Sequence, residues 1–395
     1  MNYHFSDRIG SLKPSAIREI LKSTSDPSVI SFAAGNPAPE AFPIAEVRRI
    51  TDEIFKETPI LALQYSITEG YPAFRNEISK MLHTRYSIGN ENDDTLVVSG
   101  AQQGIDLAVR ALVNDGDTII CENPSFVASL NCFRSYRAHL VGVPVESDGI
   151  DTDKLEAALK ANPNTRLIYL IPNFQNPTGI TMSAKKRRTV YALAKKHNTL
   201  ILEDNPYGDL RFGGEHIPAI KALDDNNIVI YCGSFSKILS PGLRVGFVNA
   251  HRDILAKMTV AKQCNDVHTA ILSQLICYKF MTECNLDVHI ANLQSIYRKK
   301  SALMLRGIDE SFSKNVTHTT PDGGLFIWCT LPEGSDMIGF CKTAAQNKVA
   351  VVPGSAFTAD ESEITTSFRM NFSTPTDEKI SEGCKLLGEL TKEMF

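Results

Sequence analysis

The middle of the chain alternates between short apolar runs and segments with a helical spacing of apolar residues. Continuous apolar runs bounded by Gly, Pro, Asn or Asp are typical of strands that are buried on both faces of a mostly parallel sheet. Their alternation with helices implies right-handed βαβ units, so we predict a layered α/β fold. The predicted strands are 95–98, 118–120, 139–143, 167–171, 199–202, 228–231 and 245–248, and helices between them include 102–112, 154–161 and 185–197.

The two ends of the chain differ from this alternating region. Residues 1–45 and those beyond about 290 are more polar and helix-rich, with strand candidates such as 324–328. A length of 395 residues is compatible with two or three domains. We predict a large α/β domain over 46–290 and a smaller α+β domain built from both chain ends, 1–45 and 291–395, the first of which begins as an N-terminal arm.

Composition argues against several classes of function. The net charge of −4 gives no general attraction to nucleic acid or to an anionic membrane. No uncharged apolar run approaches the roughly 18 residues of a membrane helix, and the first eight residues lack the apolar core of a signal peptide. The nine cysteines and nine histidines show neither Cys-x-x-Cys nor His-x-x-x-His spacing. We therefore expect a cytoplasmic protein with reduced thiols and no metal site.

Polar residues follow the predicted strands at the points where the strands end. Because ligands of open α/β sheets bind at the carboxyl ends of the strands, these residues predict one shared crevice. The strand 95–98 is followed by the turn Ser-Gly-Ala-Gln-Gln-Gly at 99–104. A glycine-bearing turn that opens a helix presents N–H groups suited to a phosphate. The turn lacks the sequence of a nucleotide P-loop and the full Gly-x-Gly-x-x-Gly of a dinucleotide site.

The other strand ends supply an amide, carboxylates, an amine and a guanidinium. Asn-Pro-Thr-Gly at 176–179 follows the strand 167–171, and Glu-Asp-Asn-Pro-Tyr at 203–207 follows the strand 199–202. Ser-Phe-Ser-Lys at 234–237 follows the strand 228–231, and Arg244 comes seven residues after Lys237. A lysine amine forms a Schiff base with an aldehyde cofactor. A carboxylate beside a pyridine nitrogen keeps that nitrogen protonated, so that the ring accepts electrons from a carbanion.

At these positions the sequence resembles the class I/II aminotransferases, enzymes of fold type I that depend on pyridoxal 5′-phosphate (PLP). The resemblance rests on the three motifs just named, on Arg244, and on Arg369 within Phe-Arg-Met-Asn-Phe, and it runs over nearly the whole chain. Within the family, the sequence looks closest to the kynurenine/2-aminoadipate aminotransferases and to the aminotransferase-like half of MocR-type regulators. That similarity is carried by the segments 31–37, 63–70 and 99–104.

The resemblance implies a role for each matching residue. Lys237 would be the Schiff-base lysine and would also move the proton at Cα, while Asp204 would pair with the pyridine nitrogen. Arg369 would bind the substrate α-carboxylate through two prongs, a geometry that lysine does not reproduce. Tyr65 would reach the phosphate of the neighbouring subunit, so we expect a homodimer. The remaining implied contacts are Asn176 and Tyr207 at the phenolic oxygen, Ser234, Ser236, Arg244 and the N–H groups of Ala101 and Gln102 at the phosphate, Phe126 on the ring face, and Gly35 and Asn176 beside the substrate.

Two of these positions depart from the family pattern. Phe126 stands where the family commonly has Tyr, and Ala101 stands where close relatives often have Ser. Each change removes a hydrogen bond to the cofactor, at a cost of about 1–2 kcal/mol in binding. Arg18 lies in a segment that folds over the site in relatives. Our hypothesis is that it binds an acidic substrate side chain, and the alternative is an exposed helix arginine.

The implied activity is that of an aminotransferase. It would move the amino group of an aromatic, 2-aminoadipate-like or branched L-amino acid to a 2-oxo acid such as 2-oxoglutarate. A PLP-dependent lyase, or other chemistry at Cα or Cβ on the same fold, is an alternative, because the same lysine, aspartate and arginine serve both reactions. A ligand-sensing regulator domain is a third. We expect no DNA-binding domain here, since residues 1–45 match the N-terminal arm of the family and the charge does not suit DNA.

Overall fold

The structure is a computed structural model that describes residues 3–10, 12 and 28–395. Arg18 lies outside these described residues. The strands are β1 (Ile30–Ser31), β2 (Asp93–Val98), β3 (Thr118–Asn123), β4 (His139–Glu146), β5 (Gly149–Ile150), β6 (Thr165–Leu170), β7 (Leu200–Asn205), β8 (Val229–Ser234), β9 (Gly246–His251), β10 (Thr317–His318), β11 (Phe326–Thr330), β12 (Val349–Ala350), β13 (Val352–Pro353) and β14 (Ser367–Asn371).

Helices are distributed along the whole described chain. Within that part, none of them combines the length and the apolar character needed to cross a membrane. The α-helices are α1 (Asp7–Gly10), α2 (Ile44–Glu57), α3 (Pro59–Leu63), α4 (Pro72–Tyr86), α5 (Ala101–Leu112), α6 (Val127–Ser135), α7 (Thr152–Ala161), α8 (Ala184–Lys196), α9 (Arg252–Gln263), α10 (Ile271–Glu283), α11 (Leu286–Ser311), α12 (Met337–Gln346) and α13 (Asp377–Met394).

A mostly parallel sheet of eight strands forms the centre of the molecule, in the order β2–β9–β8–β7–β6–β3–β4–β5. The five strands from β8 to β4 are parallel neighbours. β9 runs antiparallel to both β2 and β8, and β5 is a short antiparallel edge strand beside β4. The central strands carry continuous apolar runs because flanking helices bury both of their faces. The predicted α/β fold is therefore confirmed.

A second, antiparallel sheet is built from later parts of the chain. Its four strands lie in the order β10–β11–β14–β13. β1, near the start of the described chain, pairs in parallel with β12, and the N–H of Asn371 donates to the carbonyl of Phe32. Segments from both ends of the chain thus pack together beside the large sheet. The domain limits at 46 and 290 stay a prediction.

Two strands differ from their predicted limits in ways that concern the site. β7 continues past residue 202, because Glu203 and Asp204 pair in register with Tyr231 and Cys232 of β8. Since side chains alternate along a strand, these two carboxylates lie on opposite faces of the sheet. β11 begins at Phe326 instead of 324, because Gly324 has a φ of +72°, which is incompatible with a strand.

Candidate active site

The carboxyl ends of β2, β6, β7 and β8 meet beside the smaller sheet at a cavity of about 300 Å³. In all four strands the chain runs toward this edge of the sheet, so residues far apart in sequence come together there. Most of the predicted site residues line the cavity. They are Gly35, Ala101, Gln102, Phe126, Asn176, Asp204, Tyr207, Ser234, Ser236, Lys237, Arg244 and Arg369.

One corner of the cavity combines a helix N-terminus with a guanidinium. α5 begins at Ala101, so the N–H groups of Ala101 and Gln102 have no intrahelical acceptor. Arg244 reaches the same turn, where its Nη2 donates to the carbonyl of Ser99 at 3.2 Å. Gly100 has a φ of +84°, and a Cβ there would collide with Arg244 Nη2. Glycine thus lets the guanidinium approach the helix start, a combination that suits a phosphate group.

The amine of Lys237 faces the cavity just beyond the end of β8. Its Nζ donates to the carbonyl of Gly35 at 2.7 Å, and no ion pair joins it to a carboxylate of the described residues. Burial lowers the pKa of Lys237 to about 8, and the positive charges of Arg369 and Arg244 act in the same direction. About a tenth of the amine is therefore neutral at pH 7, and able to act as nucleophile or base, far more than for an unperturbed lysine.

Asp204 is a buried carboxylate with one free oxygen. Tyr169 donates its hydroxyl proton to Oδ2 at 2.8 Å, whereas no group of the described residues donates to Oδ1. Burial raises the pKa of Asp204 to about 7, and the hydrogen bond from Tyr169 opposes that rise. A cation placed at Oδ1 would stabilise the ionised carboxylate.

The guanidinium of Arg369 is held in a fixed plane. It lies between the rings of Phe326 and Phe357, with centroid distances of 4.2 and 4.9 Å. Its Nη1 donates to Asn176 Oδ1 and its Nη2 to the carbonyl of Ala33, both at 2.8 Å. Nε is buried, with no acceptor among the described residues. Burial lowers the pKa of Arg369 to about 10, so the group stays cationic at neutral pH. This geometry suits a planar anion such as a carboxylate.

Tyr207 stands beside the same amide. Asn176 Nδ2 donates to the Tyr207 hydroxyl over a long 3.4 Å, and the Tyr207 ring meets Phe326 edge-on at 5.9 Å. Burial raises the pKa of Tyr207. The hydroxyl is thus protonated and can donate a hydrogen bond into the cavity.

One described site residue of the prediction, Tyr65, does not line this cavity. Tyr65 is 82% exposed, and its ring contacts His268 edge-on at 5.8 Å. Arg18 falls outside the described residues.

Several residues that line the cavity were not predicted from the sequence. Asn36 and Pro206 directly neighbour predicted positions, so their proximity in sequence was an available signal. Phe326 could be found only from the side-chain alternation of β11, because its contacts with Tyr207 and Arg369 are long-range. The missed residues are Asn36, Ile105, Pro206, Pro241 and Phe326.

Comparison with known proteins assigns the family. The model for aminotransferase class I and II matches residues 27–387. The chain is 39% identical over 394 residues to aromatic-amino-acid aminotransferase 1 of Thermococcus litoralis, covering 99% of this chain and 94% of that protein. It superimposes on kynurenine aminotransferase of Pyrococcus horikoshii, solved with PMP, with a TM-score of 0.95 and 36% identity over 98% of this chain and 97% of that one.

A third relative carries a cofactor adduct. LysN, the α-aminoadipate aminotransferase of Thermus thermophilus, was solved with N-(5′-phosphopyridoxyl)-L-leucine. It matches with a TM-score of 0.91 and 35% identity, over 99% of this chain and 97% of that chain. The predicted resemblance to the kynurenine and 2-aminoadipate group is confirmed.

The residues of the cavity fit pyridoxal phosphate. Asp204 Oδ1, which accepts from no described residue, matches a protonated ring nitrogen. The N-terminus of α5 together with Arg244 matches a phosphate, and the Lys237 amine, which has no carboxylate partner among the described residues, matches an aldehyde. The full-length comparisons point to the same cofactor. The chain therefore belongs to the class I and II aminotransferases, and it is a PLP-dependent aminotransferase of fold type I.

Proposed function

We propose that the protein transfers the amino group of an aromatic, 2-aminoadipate-like or branched L-amino acid to a 2-oxo acid such as 2-oxoglutarate, with Lys237 acting at the reacting carbon. The observation that carries the proposal is the Lys237 amine, which has no carboxylate partner among the described residues and faces the same cavity as Asp204 and Arg369. PLP, when bound, supplies an aldehyde that takes up the amino group and a ring that draws electron density from Cα.

Each residue around the cavity has a defined task in this proposal. The neutral amine of Lys237 would take the proton from the substrate Cα and hold it for the return transfer. Arg369 binds the α-carboxylate and so orients the Cα–H bond toward Lys237. Asp204 would hold the ring nitrogen, while Tyr207 and Asn176 would donate to the phenolic oxygen. The phosphate would be held by Ser234, Ser236, Arg244 and the N–H groups of Ala101 and Gln102, and Phe126 would stack on the ring.

The choice of donor is supported by the walls of the cavity. Ile105, Phe126, Pro206 and Phe326 give it an apolar lining, which suits aromatic and branched side chains. The aromatic-amino-acid relative is in line with this choice. For acidic donors we propose Arg18 as the partner of the second carboxylate. Arg18→Ala should raise the KM for 2-aminoadipate and leave the KM for an aromatic donor unchanged.

We propose a homodimer as the active unit. Tyr65 belongs to an exposed apolar segment with Ile60, Leu63 and Ile67, which are 47–74% exposed. Burial of such a patch in a subunit interface is favourable, and Tyr65 would then reach the phosphate of the partner site. Light scattering should give twice the mass of one chain, and Tyr65→Ala should weaken PLP binding. A cytoplasmic location is proposed as well, supported by nine free cysteines.

The proposed function is tested by the visible absorption spectrum of the holoenzyme with single amino acids and no oxo acid. A true donor should bleach the cofactor band, and a 2-oxo acid added afterwards should restore it. Release of ammonia without any oxo acid would instead reveal a lyase. A protein that takes up no added PLP would contradict the roles given to the cavity.

A further inference from the structure

Asp204 has an unusually sparse environment for a buried carboxylate. An ionised carboxylate offers about four acceptor sites, and buried ones normally fill several of them. In the described structure one oxygen accepts from Tyr169, and the other has no protein donor. The orientation of the carboxylate therefore depends on a single side chain.

Tyr169 lies on β6, next to β7, and is fully buried. Its hydroxyl also contacts Ser129 Oγ of α6 at 2.8 Å. A carboxylate accepts but does not donate, so the Tyr169 proton must point to Asp204 and the Ser129 proton to Tyr169. The ring is fixed by an edge contact with Phe133, with centroids 5.2 Å apart. The result is a directed chain, Ser129 to Tyr169 to Asp204.

The neighbouring carboxylate shows that the fold can satisfy such a group by other means. Glu203 accepts from the N–H groups of Ile220 and Lys221 at 3.0 and 2.8 Å. Backbone N–H groups thus donate to both oxygens of Glu203, the carboxylate that faces away from the cavity. Asp204, which faces the cavity, accepts a hydrogen bond from a side-chain hydroxyl on one oxygen only. This arrangement leaves its other oxygen available to a ligand.

We propose that Tyr169 is a positioning residue for the cofactor: its hydroxyl anchors Asp204 Oδ2 and so keeps Oδ1 available to the pyridine nitrogen. Ser129 fixes the direction of that hydroxyl. The inference rests on the role of Asp204 in the proposed function. Without the Tyr169 donor the carboxylate becomes more basic and rotates more freely, so it takes a larger share of the proton that it exchanges with the ring nitrogen.

Other titratable groups also surround Asp204. Glu122, at the end of β3, and Cys232, opposite on β8, are both fully buried, and burial raises the pKa of each. Tyr207 follows on the same chain segment, and its pKa is raised too. None of these groups is cationic, so within the described structure the Tyr169 hydroxyl is the stabilising contact of this carboxylate.

The test compares Tyr169→Phe with the wild-type holoenzyme. The protein is loaded with PLP labelled with ¹⁵N in the ring, and the ¹⁵N chemical shift of the bound cofactor is measured by solid-state NMR. The Tyr169→Phe shift should move toward that of an unprotonated pyridine. Cα deprotonation of a donor, followed in single turnover, should slow by about ten- to a hundredfold. The primary isotope effect with an α-deuterated donor should rise as well.

Tyr136→Phe is the matched control, because Tyr136 also donates to a carboxylate, that of Asp106 at 3.1 Å, away from the cavity. It should leave the ¹⁵N shift at the wild-type value. Ser129→Ala should move the shift in the same direction as Tyr169→Phe, but less, and it provides the answer if Tyr169→Phe does not fold. An unchanged ¹⁵N shift in the folded variants would overturn the inference. If the wild type is bleached by no amino acid, the proposed function itself has failed.

Discussion

A fully buried lysine and a half-buried one stand at opposite ends of the same strand, β8, and their surroundings are opposite in charge. Lys221, near the amino end, has a fully buried side chain whose Nζ lies 2.9 Å from carboxylate oxygens of both Asp93 and Asp224. Asp224 also accepts from the N–H of Val229, the first residue of the strand. Lys237, beyond the carboxyl end, faces the guanidinium groups of Arg369 and Arg244 and forms no ion pair in the described structure.

The difference shows that burial alone does not make a lysine reactive. Two carboxylates hold the Lys221 ammonium in place, so that lysine serves the fold. The surroundings of Lys237 penalise its charge, which lowers its pKa and makes the amine available for chemistry. The ion pairs of Lys221 stabilise the start of β8. The cationic surroundings of Lys237 lower the stability of the protein near the end of β8, as is common in active sites.

The largest expected effect is that of removing the Lys237 amine. Lys237→Ala should lower turnover by about 10⁴-fold or more, because both proton transfer at Cα and the covalent hold on the cofactor are lost. Single-turnover kinetics with an aromatic donor measure the loss, and circular dichroism verifies that the variant is folded. Substantial turnover in a folded variant would contradict the assignment of Lys237.

Removing the other lysine should affect stability instead. Lys221→Met leaves Asp93 and Asp224 buried without their cation, so the free energy of unfolding should fall by about 3–5 kcal/mol. Urea denaturation measures the change. The activity of the folded fraction should match the wild type, and adding Asp93→Asn to the same variant should restore part of the stability. A loss of turnover without a loss of stability would contradict the structural role assigned to Lys221.

The pH dependence of stability should differ between wild type and Lys237→Met in the cofactor-free form. The pKa of Lys237 is about 8 in the folded protein and 10.5 when unperturbed, so below pH 8 its charge costs the wild type about 3 kcal/mol. Between pH 8 and 10.5 the unfolded chain binds more protons, so wild-type stability rises with pH. Lys237→Met should thus be more stable at pH 7, with the advantage fading toward pH 10.5. An advantage independent of pH would point to packing instead of charge.

The variant Arg369→Lys tests whether the positive charge of Arg369 or the planar shape of its guanidinium matters for substrate binding. The variant keeps a cation near the amine but loses the planar fork held between Phe326 and Phe357. We expect kcat/KM for amino acids to fall about 10- to 100-fold, mainly through KM, because one of two charged hydrogen bonds to the carboxylate is lost. Steady-state kinetics measure this split. An unchanged KM would show that Arg369 does not bind the carboxylate.

Much of the architecture follows from local sequence patterns. The apolar runs predicted the central strands, because a strand that is buried on both faces carries few polar residues. The rule that ligands bind at the carboxyl ends of strands predicted that the motifs at 176–179, 203–207 and 234–237 share one cavity, as they do. The limits of β7 and β11 were missed, since pairing with β8 extends the first and the φ of Gly324 delays the second. Such features depend on neighbours in space.

The sequence by itself determined the fold class, the family and which motifs meet. Apolar periodicity and the polar residues that follow each strand are both properties of consecutive residues, so they can be seen in the sequence. Only the tertiary structure decided what each buried polar group faces. Glu203 and Asp204 are adjacent in the chain, yet one is filled by backbone donors and the other keeps an oxygen free of donors from the described residues. Lys221 and Lys237 likewise differ in part through partners distant in sequence, Asp93 for the first and Arg369 for the second. The pKa and reactivity of a buried group are set by the charges and donors that packing brings to it, and these are not encoded in its immediate sequence.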